Sequence, residues 1–143
     1  MATVKGVNKT LVDAGGVATI GRGLVDGRVK CMLDSYTLTT GNLAGDVIKL
    51  GGTLPAGANV VGIMLAVSAA QSSLTYMLGD GATANRYKAT GATGLQTAVV
   101  PVWHTGLNYV VGTATSDNVI QLTTEAATAT AGVLYAAIFY TQD

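Results

Sequence analysis

The chain has 143 residues, 49% of them hydrophobic and only 11% charged, with eight Lys+Arg balancing eight Asp+Glu. That length fits one domain, and a net charge of zero supplies no field to steer the protein to nucleic acid, an anionic membrane or an acidic substrate. Small polar groups, including 20 threonines and 19 glycines, stand where an ordinary domain carries ions, and such a surface desolvates easily, which suits it to interfaces.

Residues 1–28 read as an extended arm. Gly6, Gly15, Gly16, Gly21, Gly23 and Gly27 interrupt short apolar pairs, and no hydrophobic period is sustained. Lys5, Lys9, Arg22 and Arg28 stand here with Lys30 just beyond, opposed by Asp13 and Asp26. Such an arm either docks on a partner or is a solvated terminus; Val4, Lys5, Val7, Lys9 and Leu11 are the docking candidates. No apolar stretch of the secretory kind follows the first lysines, so synthesis in a cytoplasm is expected.

Residues 29–143 read as one β-sandwich or barrel-like domain, because the hydrophobic period is two almost throughout. Val29–Leu38 alternates Val29, Cys31 and Leu33 with Lys30, Met32 and Asp34. The first set is expected to face inward, with Cys31 as a small buried hydrophobe. Asp46–Leu54 follows, then a turn through Pro55 and Gly57, with Pro55 expected at its first central position. In Val60–Ser68 both alternating sets are apolar or small, which marks a central strand or one at a subunit contact. Val60–Ala70 is the most apolar run and is too short to span a bilayer as a helix.

Leu74–Gly79 is the next strand, broken by Gly79-Asp80-Gly81, and Arg86–Ala89 is a short return. Further strands are expected at Thr97–Val102, Tyr109–Thr113, Asn118–Thr124 and Gly132–Tyr140. Eight or nine short strands at this spacing fit a sandwich or barrel.

Catalytic material is sparse. His104 is the single histidine, no Gly-x-Ser-x-Gly accompanies it, and the lone cysteine forms no intrachain disulfide. One histidine and one cysteine do not make a zinc site, and Asp80–Asn85 lacks both the acidic spacing of a calcium loop and the pattern of a phosphate cradle. Asp46, Asp80 and Asp117 stand beside glycine or asparagine, where aspartate ordinarily hydrogen-bonds its own turn. Asp34 and Glu125 complete the carboxylates that could pair for glycosidase work, though nothing in the sequence pairs them. We therefore expect neither enzyme activity nor a cofactor. Trp103 offers a large apolar face suited to core or interface, and the last strand is apolar on both sets, so Trp103, Tyr135 and Phe139 are candidate subunit contacts.

In layout the chain resembles the small head-decoration, or cement, proteins of tailed bacteriophages. Four pieces carry the resemblance: the arm opening Met-Ala-Thr-Val-Lys-Gly-Val-Asn; Gly45–Leu50 followed by Leu54–Ala58; Leu78-Gly79-Asp80-Gly81 through Asn85–Ala89; and Gly132–Tyr140. The resemblance implies a β-sandwich or tulip-like protein, often a homotrimer, on the capsid exterior, where it clamps neighbouring subunits of the major capsid protein. It implies no active site. The alternative is a glycan-binding knob or adhesin subunit with Trp103, Tyr109 or Tyr36 as stacking faces.

Overall fold

The computed structural model describes residues 28–42, 44–95, 97, 100–102, 109–112, 118–126 and 129–142. The arm candidates Val4, Lys5, Val7, Lys9 and Leu11 lie outside the described residues, as do Trp103, His104 and Asp117. Among the described residues every regular element is a strand: β1 (Lys30–Leu38), β2 (Val47–Leu50), β3 (Asn59–Val67), β4 (Gln71–Gly79), β5 (Lys88–Leu95), β6 (Val100–Val102), β7 (Ile120–Ala126) and β8 (Gly132–Thr141). The all-β expectation holds.

The strands form two four-stranded antiparallel sheets, ordered β1-β8-β3-β6 and β2-β7-β4-β5. Here they are the first and second sheet. The pairs β1 with β8, β2 with β7, β3 with β6 and β4 with β5 nest inside one another along the chain. One long antiparallel ribbon, bent at the β4–β5 turn and rolled so that successive rungs fall in alternate sheets, gives this order; it is the eight-stranded jelly roll.

The core lies between the sheets. Leu134, Ala136 and Ile138 of β8 and Ile63, Leu65 and Val67 of β3 meet Ile48 and Leu50 of β2, Leu74, Tyr76 and Leu78 of β4 and Ile120 and Leu122 of β7, all buried. Such alternation fixes register, since a slip of one residue would turn every apolar side chain to the opposite face.

Side-chain amides and carboxylates close the ends. Gln71 is buried, and its Nε2 donates to the carbonyls of Ala69 (2.9 Å) and Thr130 (2.8 Å) while Thr130 N–H donates to its Oε1 (2.7 Å). It thereby ties the β3–β4 corner to the entry of β8. Asp80 Oδ1 accepts from Ala82 and Thr83 N–H, and its Oδ2 from Arg86 Nε at 2.6 Å, so the loop after β4 folds tightly over Gly79.

Several expectations are corrected. Pro55 precedes the turn's central residues: Ala58 N–H donates to Pro55 C=O (3.1 Å), leaving Ala56 and Gly57 in the middle, with Gly57 at φ +79° as a type II turn requires. Strand β2 stops at Leu50 because Gly51 turns the chain at φ +72°. Strand β4 starts at Gln71 and β5 runs through Gly91 to Leu95, both longer than their side-chain patterns suggest. Within 109–112 there is one isolated bridge, Asn59 with Val110, rather than a strand. Most consequentially, β1 is turned over: Cys31 is exposed, Leu33 is 79% exposed and Val29 is 59% exposed, whereas Leu38 of the opposite set is buried.

Candidate interface on the first sheet

The outward face of the first sheet follows from β8. With Leu134, Ala136 and Ile138 buried, the alternate set Val133, Tyr135, Ala137 and Phe139 points away from the core. Register extends this set across the sheet in rows: Cys31–Phe139–Gly62, Leu33–Ala137–Met64 and Ser35–Tyr135–Ala66. Two of the proposed contact residues, Tyr135 and Phe139, therefore share one face and one strand.

No charged side chain stands in these rows. Within these rows Leu33 (79%), Tyr135 (51%) and Met64 (39%) are the large apolar groups most open to solvent. Phe139 is only half-buried although it faces outward, because Gly62 beside it has no side chain; a Cβ there would sit 3.9 Å from Phe139 Cδ2. The ring thus spreads over the neighbouring strand and thickens the apolar surface. The second sheet differs: its outward rows include Val47–Thr123–Met77 and Lys49–Gln121–Gly79, and Glu125 of β7 accepts from Gly91 N–H at 2.6 Å. The described outward face of the second sheet thus mixes charged groups with the exposed Val47, whereas these rows of the first sheet are uncharged throughout, as surfaces that mark interaction sites commonly are.

Leu33 and Met64 were not among the sequence candidates. The sequence does carry a signal for Met64, since β3 is apolar on both sets; for Leu33 the local alternation points inward, and pairing with β8 turns it outward.

The possible stacking faces fare differently. Tyr109 is half-buried against the core, and the Arg86 guanidinium lies 3.6 Å from its ring centroid, occupying the face a sugar would need. Tyr36 is 37% exposed, and its hydroxyl accepts from Asn42 Nδ2 at 3.1 Å.

The described carboxylates are engaged locally. Asp34 accepts from Ser35 and Gly51 N–H, Asp46 from Asn42 Nδ2, Asp80 from its own loop and Arg86, and Glu125 from Gly91. Among the described residues no group of three or more His, Cys, Asp and Glu could hold a metal ion, and no helix is long and apolar enough to cross a membrane. Burial raises the Tyr76 hydroxyl above its usual range, and burial reinforced by the Asp80 charge raises that of Tyr87 further. Both are core tyrosines that stay neutral.

No family model and no curated protein matches the chain. Among solved structures it is similar to a chain of the cyanophage Pam1 capsid asymmetric unit, with 24% identity and a TM-score of 0.63 over 82% of this chain and 86% of that one. It is also similar to a chain of the acid-stable capsid of Helicobacter pylori bacteriophage KHP30, with 15% identity and a TM-score of 0.51 over 79% of this chain and 86% of that one. At these identities the likeness is one of fold.

Proposed function

We propose that this protein is a non-enzymatic structural component of a bacteriophage virion that decorates the capsid exterior, binds between coat subunits and stabilises the shell. The observation that carries the reading is the uncharged outward face of the first sheet, on a jelly roll whose fold recurs in chains of two phage capsids. Jelly rolls serve in both capsids and lectins, so the fold alone does not choose between them. The Arg86 guanidinium on the Tyr109 ring weighs against the glycan reading.

On this reading the partners are the major capsid protein and further copies of the chain, as a homotrimer. Leu33, Met64, Tyr135 and Phe139 supply the desolvated contact, and the arm, through Val4, Lys5, Val7, Lys9 and Leu11, docks on the coat. Modest contacts suffice, because repeated engagement of a lattice multiplies weak affinities.

The test is to mix purified protein with undecorated shells and image them. Saturable occupancy at lattice positions, with raised resistance of the shells to heat, is the expected outcome, and its absence overturns the proposal. Deleting residues 1–28 is expected to abolish attachment while the domain still folds.

A further inference from the structure

Among the described residues strand β1 ends the first sheet, and with nine residues and outward Leu33 it is the kind of edge that recruits another strand. The direction of its backbone groups follows from β8. Ser68 N–H donates to Val133 C=O at 2.8 Å, and Val133 N–H donates to Ser68 Oγ at 2.8 Å, so the polar groups of Val133 point toward β3. Backbone groups alternate along a strand, so those of Leu134, Ala136, Ile138 and Tyr140 point toward β1. Their register partners Tyr36, Asp34, Met32 and Lys30 therefore carry the ladder, and Cys31, Leu33, Ser35 and Thr37 direct their N–H and C=O groups to the outer edge, which no described strand pairs.

At the middle of that edge Ser35 N–H is already engaged, donating to Asp34 Oδ1 at 2.8 Å. The other oxygen, Oδ2, accepts from Gly51 N–H at 2.7 Å, which holds the carboxylate in place against the turn after β2. An incoming strand would have to displace a charge-assisted hydrogen bond and come to lie beside a carboxylate. We infer that Asp34 is an edge guard, closing β1 to strand addition by a second copy of this chain and leaving the outward face of the sheet as the surface for contact. Asp34 also explains why a charged residue stands in the core-facing set of an edge strand, a placement that blunts sheet edges.

The experiment uses the full chain and three variants in sedimentation velocity. Asp34→Ala frees the Ser35 N–H and is expected to shift the protein, with rising concentration, to species larger than the wild-type assembly. Ser35→Pro removes that N–H; proline is tolerated where an edge strand's donor faces solvent, so this variant is expected to fold and sediment as wild type. Asp34→Ala combined with Ser35→Pro lacks both guard and donor and is expected to return to the wild-type distribution, although its Gly51 contact is still missing. Association that persists in the double variant, an Asp34→Ala protein that sediments as wild type, or a Ser35→Pro protein that unfolds would each overturn the inference. Should Asp34→Ala fail to fold, amide exchange in the wild-type chain decides: Ser35 is expected to exchange at least roughly tenfold more slowly than Leu33 and Thr37 on the same edge, and equal rates overturn the proposal.

Discussion

Leu33→Thr separates the two orientations of β1 and tests the proposed contact in one variant. Complete burial of a leucine is worth about 1.5–3 kcal/mol. With Leu33 79% exposed, the fifth that is covered accounts for only ~0.5 kcal/mol. Threonine brings the β-branched shape that a strand favours, so folding stability should barely move. Had Leu33 faced the core, as the alternation alone suggested, the same change would cost about 2–5 kcal/mol. Urea unfolding distinguishes these cases, because with a slope of about 1–3 kcal/mol per molar the midpoint moves either by a few tenths of a molar or by more than about 1 M. Binding should respond in the opposite sense. If docking buries the exposed four-fifths, the loss is about 1–2 kcal/mol per contact, or roughly 5- to 30-fold in Kd for shells. A large drop in stability refutes the orientation, and unchanged binding refutes the role given to this face.

Three further outcomes follow from the packing. Replacing Gln71 with leucine removes three hydrogen bonds at a buried corner and should cost ~3 kcal/mol in chemical unfolding; a change too small to resolve would mean that solvent satisfies the Thr130 backbone. A methyl group at Gly79 would run into the backbone of Thr83 and Ala84, so Gly79→Ala should lose ~3 kcal/mol and disturb the amide signals of residues 80–87; an unperturbed spectrum would contradict the loop geometry. Both Tyr76 and Tyr87 have hydroxyl pKa values raised above the usual 10.0 by burial. The unfolded chain then releases protons first, so stability is whole below pH 10.0 and falls as the pH climbs from there toward the folded values. Tyrosinate absorbance from these two groups should appear together with loss of structure, and its appearance in the folded protein would refute the burial argument.

Much of the fold was legible because a sandwich core imposes a period of two on every strand that lines it. In β3 and β8 both alternating sets are apolar, and both strands prove to be central in the first sheet. Alternation cannot say which set faces inward when neither is decisive. In β1 the presence of Asp34 beside Lys30 and Met32 made that set look solvent-facing, yet pairing with β8 aligns Met32 with buried Ile138 and Leu33 with outward Ala137. Parity came from a partner about a hundred residues away in sequence, beyond any local signal. The sequence pattern marks only Arg86–Ala89 as a short return, whereas β5 runs on along β4 to Leu95, carried by pairing that the local pattern does not show. The nested strand order is likewise a property of long-range pairing.

The corrected orientation of β1 also resolves a tension in the sequence. A chain with so few charges must still avoid indiscriminate association, and edges and faces present different hazards. An edge offers backbone groups that any extended segment can meet, whereas a face demands a complementary surface of matching shape. The structure closes the β1 edge with Asp34 and leaves the neighbouring rows of Leu33, Met64, Tyr135 and Phe139 uncharged. On the proposed role this division has a purpose: a subunit that must bind many equivalent lattice positions can keep an apolar contact ready while the edge beside it is held shut. The arrangement requires that the two features fail differently. Loss of Leu33 should weaken specific binding without promoting aggregation, and loss of Asp34 should promote aggregation while the face remains able to bind.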